Sequence, residues 1–374
     1  MAGDYQICNR CVMDTTDPLI KFDDKGYCNH CNTAIKNIEK FWFRGEDGKA
    51  RLSQLFNRIK SENLNNKYDC IIGLSGGIDS SYLAYLASQY RLRMLAVHVD
   101  AGFNSAIAES NIKNLSKKLN IDLVIEKVDV DEMMDLQRAY FLAGVPNEDI
   151  PQDHAFFTTL YSYAEKNHIK YVINGFNLAT ESILPTAWVH DAYDTRNIKD
   201  IHRNFGSKPL KNYKLMSFFK WYIEYRLFNK LVILKPLNYI NYNKEDAIKI
   251  LEKEVEWQYY GGKHYESRFT KLYQAYILPV KFGYDKRKAH LSSLIVAGQI
   301  TREQALKELD KPLYDPQELE EDIQYFINKI GITRKKFDEV MSQPPRSHED
   351  FKTNTAIVNV FRSIYSSYNK LRIQ

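Results

Sequence analysis

The sequence predicts a parallel α/β fold, with a short cysteine-bearing module before it and a helical region after it. Three observations carry this. Short β-rich runs alternate with helix-patterned stretches between residues 68 and 234. Four of the five cysteines lie within the first 31 residues. From about Lys244 onward the apolar spacing is helical to the end.

The first unit covers residues 1–45. Cys8 and Cys11 form one C-x2-C pair, and Cys28 and Cys31 form another, with 16 residues between them. That spacing fits a four-thiolate Zn²⁺ site, in which each pair wraps one edge of a tetrahedron. Such a site has no open position for water, so its expected role is structural. His30 lies inside the second pair, but four thiolates complete the set without it. A disulfide framework would instead spread its cysteines through the fold.

Residues 46–243 form the expected α/β domain. Leu52, Leu55, Phe56 and Ile59 recur at helical spacing, and 63–67 reads as a loop. Strands are expected at 68–74, 94–99, 123–128, 171–174 and 231–234, the last ended by Pro236. Helices are expected at 79–90, 107–119 and 153–167. Strands separated by helices imply βαβ units and a parallel sheet covered on both faces. An aromatic and basic insertion occupies about 178–230, between the last two strands. Inserted segments of this kind often carry substrate contacts. Residues 244–374 form the expected helical C-terminal domain.

The 374 residues are 44% hydrophobic and 26% charged, the range of a soluble globular chain. No apolar run approaches the roughly 18 residues of a membrane span, and MAGDYQICNRC carries no apolar signal region. A cytoplasmic enzyme is therefore expected, without a membrane partner. A net charge of +5 suits phosphate-bearing substrates but gives no strong nucleic-acid footprint. The 26 tyrosines read as amphipathic surface and packing. Cys70, inside an expected buried strand, reads as a packing residue.

The strongest chemical signal is Ser75-Gly76-Gly77-Ile78-Asp79-Ser80-Ser81, between the first core strand and its helix. Backbone N–H groups there have no intrahelical partner and sit at the positive end of the helix dipole. The two glycines allow close approach of a phosphate, and Ser75, Ser80 and Ser81 add hydroxyl donors. Asp79 would repel a bare anion, so its best role is to hold Mg²⁺ between phosphates.

SGG-x-DSS lacks the GK[ST] ending of the ordinary P-loop. It resembles the PP-loop of the N-type ATP pyrophosphatases. That resemblance implies a Rossmann-like open parallel sheet, with ATP across the carboxyl ends of the strands. It also implies cleavage of ATP to AMP and pyrophosphate. Asp100, in His98-Val99-Asp100-Ala101-Gly102-Phe103, is then a candidate for ribose or metal, or a turn cap. Gly175 would let the backbone approach the nucleotide. Asn177 and Glu181 are candidates for contacts or for helix capping.

CNRCVMDTTDP, CNHC, GLSGGIDSSYLAYL, HDAYDTRNIKDIHRNFG and the long stretch from GGKHYESRF to ITREQAL resemble the N-acetyl sugar amidotransferases of bacterial lipopolysaccharide, O-antigen and flagellin-sugar biosynthesis. The resemblance covers about residues 5–310. It implies conversion of an acetamido group, on a free or nucleotide-linked sugar, to an acetamidino group. Ammonia would come from a partner glutaminase that works with a cyclase-like subunit. Lys263, Lys281, Lys286 and Arg287 are the candidates to face charge growing on the phosphates, although any single one is more often a solvated surface charge. His264 could handle an ammonia proton or be structural. The rival class is the tRNA sulfur-transfer enzymes, which also pair zinc knuckles with a PP-loop. Those usually need further cysteines in the catalytic domain, where this chain has Cys70 alone.

Overall fold

The computed structural model describes residues 5–228, 230–262, 265–361 and 363. Five strands form one sheet: β1 (Cys70–Gly73), β2 (Met94–Asp100), β3 (Asp122–Lys127), β4 (Tyr171–Ile173) and β5 (Val232–Leu234). Their order is β3-β2-β1-β4-β5, and every pairing is parallel. β1 lies in the middle, with Ile71 beside Leu95 of β2 on one side and Val172 of β4 on the other. The chain first winds outward through β2 and β3, then returns to the other side of β1. That reversal opens a crevice beyond the carboxyl ends of β1 and β4, where ligands of open α/β sheets bind.

The sheet is buried on both faces because the strands alternate. Ile71, Leu95 and Val97 enter one core, and Cys70, Ile72, Met94 and Ala96 enter the other. The second core is closed by α2 (Gly45–Glu62), whose Leu52, Leu55, Phe56 and Ile59 are all buried, and by α3 (Ile78–Gln89). Cys70 is wholly buried there, and burial pushes its thiol well up from the ordinary range. Helix α4 (Ala106–Lys118) joins β2 to β3.

The other core contains α5 (Val130–Ala143) and α6 (Ile150–Lys166). Sequence periodicity passes over α5, because it is buried nearly all round and carries buried Glu132, Asp135 and Gln137. Two of these acids fasten the insertion. Glu132 accepts the N–H groups of Lys211, Asn212 and Tyr213, the shortest at 2.7 Å. Asp135 accepts from Ser207, Lys208 and His202. The insertion is thus pinned to α5 by charge-assisted hydrogen bonds and packs its Trp221, Tyr222 and Tyr225 into the same core.

Helix α1 (Asn29–Phe41) grows directly out of the second cysteine pair, with Cys28 as its N-cap. Helical segments continue from Lys244 to the end of the described region. Among the described residues no helix is long and apolar enough to cross a membrane.

Candidate active site

The corner between β1 and α3 is built by its glycines. Gly76 has φ +84°, and a Cβ there would lie 2.9 Å from the Ala108 carbonyl oxygen. Its own carbonyl accepts the Trp257 indole N–H at 3.2 Å. Gly77 is the N-cap of α3 and makes no side-chain cap bond. The first N–H groups of the helix therefore face outward without a capping side chain. Ser75 Oγ accepts the Gly77 N–H at 3.1 Å and lies 3.4 Å from Ser80 Oγ. Ser75, Gly77, Asp79 and Ser80 line a cavity of about 420 Å³. Gly76 and Ser81 stand behind that wall, with Ser81 wholly buried under the helix.

Asp79 is held in place. Its Oδ1 accepts Tyr242 OH at 2.5 Å and Asn177 Nδ2 at 3.2 Å. Burial, followed by the charge of Asp79, drives the Tyr242 phenol far above its ordinary range, so it stays a donor. Asn177 is wholly buried and caps the short helix Leu178–Glu181, accepting the Thr180 N–H at 2.9 Å. Gly175 lines the cavity and also has a local steric reason. A Cβ there would come within 3.0 Å of the Asp79 carbonyl carbon and the Ser80 nitrogen, so the glycine lets the β4 loop close on the β1 loop.

Asp100 lies away from this cavity. Its Oδ1 accepts the Gly102 N–H at 2.9 Å and Asn104 Nδ2 at 3.3 Å, as a turn cap, and it lines a smaller cavity of about 150 Å³. His98 lines both spaces. Its Nδ1–H donates to the Leu74 carbonyl (2.8 Å), and its Nε2 accepts from Asn104 (2.9 Å). Burial lowers its pKa, so the ring is neutral.

Of the basic candidates, Lys286 lines the cavity. Lys263 and His264 lie outside the described residues. Lys281 is a correction: its ammonium donates to the Val340 and Gln343 carbonyls (2.5 and 2.8 Å), anchoring the end of helix Arg334–Ser342. Arg287 is another, since it binds Asp285 and the carbonyls of Glu308, Leu309 and Lys311. Neither lines the cavity. The cation that spacing passed over is Lys244, the first residue of helix Lys244–Val255, which does line it. Its signal was the Asn243 cap, which puts a helix start there.

Other lining groups also escaped the sequence. Glu266 reaches over the corner, its Oε1 3.0 Å from where a Gly77 Cβ would be. Its carbonyl accepts the Ser105 N–H at 2.8 Å, which ties the C-terminal region to the β2 loop. The cavity is also lined by Asp149, Gln152, Asp153, Phe156 and Phe157, from the start and first turns of α6, and by Thr270 and Gln274. Asp149 accepts Thr270 Oγ1 at 3.1 Å and Gln274 Nε2 at 3.4 Å. The surrounding protein, then Asp149, pushes the Asp153 carboxyl upward, and Lys286 opposes the rise.

Beside Lys281 sits Glu148, wholly buried, with neither carboxylate oxygen hydrogen-bonded among the described residues. Burial raises its pKa from 4.5 to about 8. A raised carboxyl pKa means that the folded state holds a proton the unfolded chain loses, so stability falls as pH rises from about 4.5 through 8. Glu148→Gln should therefore melt like the parent at pH 4.5 and melt higher than the parent at pH 8. Parallel melting curves across that window would contradict the buried, protonated carboxyl.

The cysteine cluster is compact. All four sulfurs lie within 4.8 Å of one another, and all four residues are buried. Cys8 and Cys31 sulfurs are 3.8 Å apart, and those of Cys11 and Cys28 3.6 Å. Bonds of about 2.3 Å to a tetrahedral ion give sulfur–sulfur edges near 3.8 Å, so the group fits zinc. Backbone N–H groups of Cys11, Cys28 and Arg10 point at Cys8 Sγ, as thiolate ligands require. His30 instead bonds Asp17 at 2.5 Å.

Residues 46–141 match the PP-loop domain family, and residues 266–365 match the family described as LPS biosynthesis protein WbpG-like, C-terminal domain. The uncharacterized protein MJ1599 of Methanocaldococcus jannaschii is 22% identical over 322 residues, covering 84% of this chain and 97% of the relative. Similar solved structures include an NMN synthetase from Francisella tularensis (16% identity, 76% of this chain, 94% of that one, TM-score 0.30). Another is an NH3-dependent NAD synthetase from Campylobacter jejuni subsp. jejuni NCTC 11168 (15% identity, 80% and 99%, TM-score 0.31). A PP-loop domain makes this an ATP-using enzyme.

Proposed function

We propose, for a chain that belongs to the WbpG-like PP-loop amidotransferase family, that it converts an acetamido group of a bacterial surface sugar to an acetamidino group at the expense of ATP. The observation that carries this is the uncapped α3 corner with its braced Asp79, which opens onto the same cavity as the α6 groups. An amide oxygen is a poor leaving group. AMP transfer to that oxygen breaks the α–β phosphate bond and releases pyrophosphate. Ammonia then adds to the activated carbon, and AMP departs with the former amide oxygen. Amide, ATP and ammonia thus become amidine, AMP and pyrophosphate.

The corner N–H groups, with Ser75 and Ser80, would hold pyrophosphate. Asp79 would hold Mg²⁺, which supplies charge neutralisation between phosphates. Lys244 and Lys286, both on the cavity wall, are the cations for the growing phosphate charge. Phe156 and Phe157 give an apolar wall and Gln152 and Asp149 hydrogen-bonding groups, a suitable mix for a sugar bearing an amide. The amidine product is a cation, which the Asp149 carboxylate would favour over the neutral amide. Zn²⁺ in the four-cysteine site would serve structure. Ammonia would come from a partner glutaminase acting with a cyclase-like subunit, and the protein would work in the cytoplasm.

The test uses Mg²⁺, ATP, an ammonium salt and diacetamido sugars carrying ¹⁸O in the acetamido carbonyl. The expected result is a sugar about one mass unit lighter than the unlabelled amide, with the heavy oxygen in AMP. The isolated chain should use ammonium but not glutamine. Release of ADP, or AMP without the label, would overturn the reaction.

A further inference from the structure

The cysteine module is joined to the cavity through one helix. Ser292 and Ser293 are neighbours on helix Lys286–Val296, and both are wholly buried. Ser292 Oγ accepts the N–H of Val12, next to Cys11, at 3.1 Å. Ser293 Oγ accepts the N–H of Ile183 at 3.0 Å and donates to the Ala289 carbonyl at 2.9 Å. Ala289 packs among the four cysteines together with Ile183 and Trp188. A second clasp comes from Arg302, whose Nε donates to the carbonyls of Cys8 (3.2 Å) and Cys11 (3.1 Å). Lys288 pairs with buried Asp14 of the module.

The other ends of these connections are in the cavity wall. The helix held by Ser292 begins at Lys286, which lines the cavity. The segment held by Ser293 follows Thr180 and Glu181, which also line it, and Asn177, which bonds Asp79. Packed helices move as units, and a buried N–H left without its acceptor carries a full desolvation cost. A loosened knuckle would therefore not loosen alone.

We propose that the four-cysteine knuckle is a positioning element of the cavity, acting through Ser292, Ser293 and Arg302 on Lys286, Glu181 and Asp79. The ATP-affinity part of the test rests on the cavity being the nucleotide site proposed above, and the exchange part does not.

The test uses the full chain, zinc-loaded and after chelation, with hydrogen–deuterium exchange and calorimetric titration of Mg-ATP. Chelation should raise exchange in 178–183 and 286–296 as well as 8–31, leave β1, β2 and β4 protected, and weaken ATP binding about tenfold, the loss of roughly one buried hydrogen-bonded contact. Faster exchange confined to 8–41, with ATP affinity unchanged, would overturn the proposal. Where chelation unfolds the whole chain, Ser292→Ala, which removes the acceptor of the Val12 N–H and leaves the Ile183 bond to Ser293 in place, decides in zinc-loaded protein. Full zinc content with weaker ATP binding and faster exchange at 178–183 supports the coupling, and parent-like exchange there overturns it. A parent chain that binds no ATP would refute the nucleotide site, and exchange alone would then decide the coupling.

Discussion

Asp79→Asn should lower pyrophosphate release by about a hundredfold to a thousandfold while leaving the melting temperature near that of the parent, the range seen when one oriented electrostatic group is removed from a reacting site. The carboxylate sits on the first turn of α3 and faces the cavity. Its Oδ1 accepts from Tyr242 and Asn177, and an amide oxygen can accept the same bonds. The substitution therefore preserves the brace and removes the charge that would hold Mg²⁺. Tyr242→Phe is the companion: it keeps the charge and removes one brace, so its loss should be smaller, about tenfold. Steady-state pyrophosphate release with both variants checks the order. Parent-like turnover by Asp79→Asn would remove Asp79 from the chemistry.

The second large effect is expected from the cysteines. Cys11→Ser or Cys28→Ser should leave purified protein nearly without zinc, against about one ion per chain for the parent. A buried thiolate ligand would be replaced by a hydroxyl that stays protonated, and a set of three cannot close the tetrahedron. Structural zinc supplies about 10 kcal/mol or more to small modules, so the N-terminal unit, together with the segments clasped to it, should melt at a lower temperature than in the parent. Metal analysis and calorimetry read both outcomes. Parent-like zinc content in either variant would mean that the four sulfurs are not the ligand set. Cys70→Ser is the control, since its sulfur lies in the sheet core, away from the cluster.

Most of the sheet was legible because parallel strands buried on both faces read as short apolar runs. Four of the five expected strands overlap the observed ones closely, while the first shortens from 68–74 to Cys70–Gly73. Helix α5 was illegible because burial all round erases amphipathic spacing, and its acids turn inward to hold the insertion. The glycine–serine corner was legible because a loop between a strand and a helix is local. The partners of that corner were not local: Tyr242 is 163 residues from Asp79 and Asn177 is 98.

The same division runs through the cations. Lys281 and Arg287 stood in a distinctive stretch beside Lys286, yet only Lys286 reaches the cavity. Sequence spacing shows that a lysine is present, but which carbonyls compete for its ammonium depends on helices packed much later in the chain. By itself the sequence determined the parallel α/β class, the glycine–serine corner and the four-cysteine group, since each rests on residues close together or on burial patterns along single strands. Only the tertiary structure decided which charges face the cavity and how the knuckle reaches it. Those depend on hydrogen bonds and ion pairs between residues tens to hundreds of positions apart, whose energies exist only once the helices have packed.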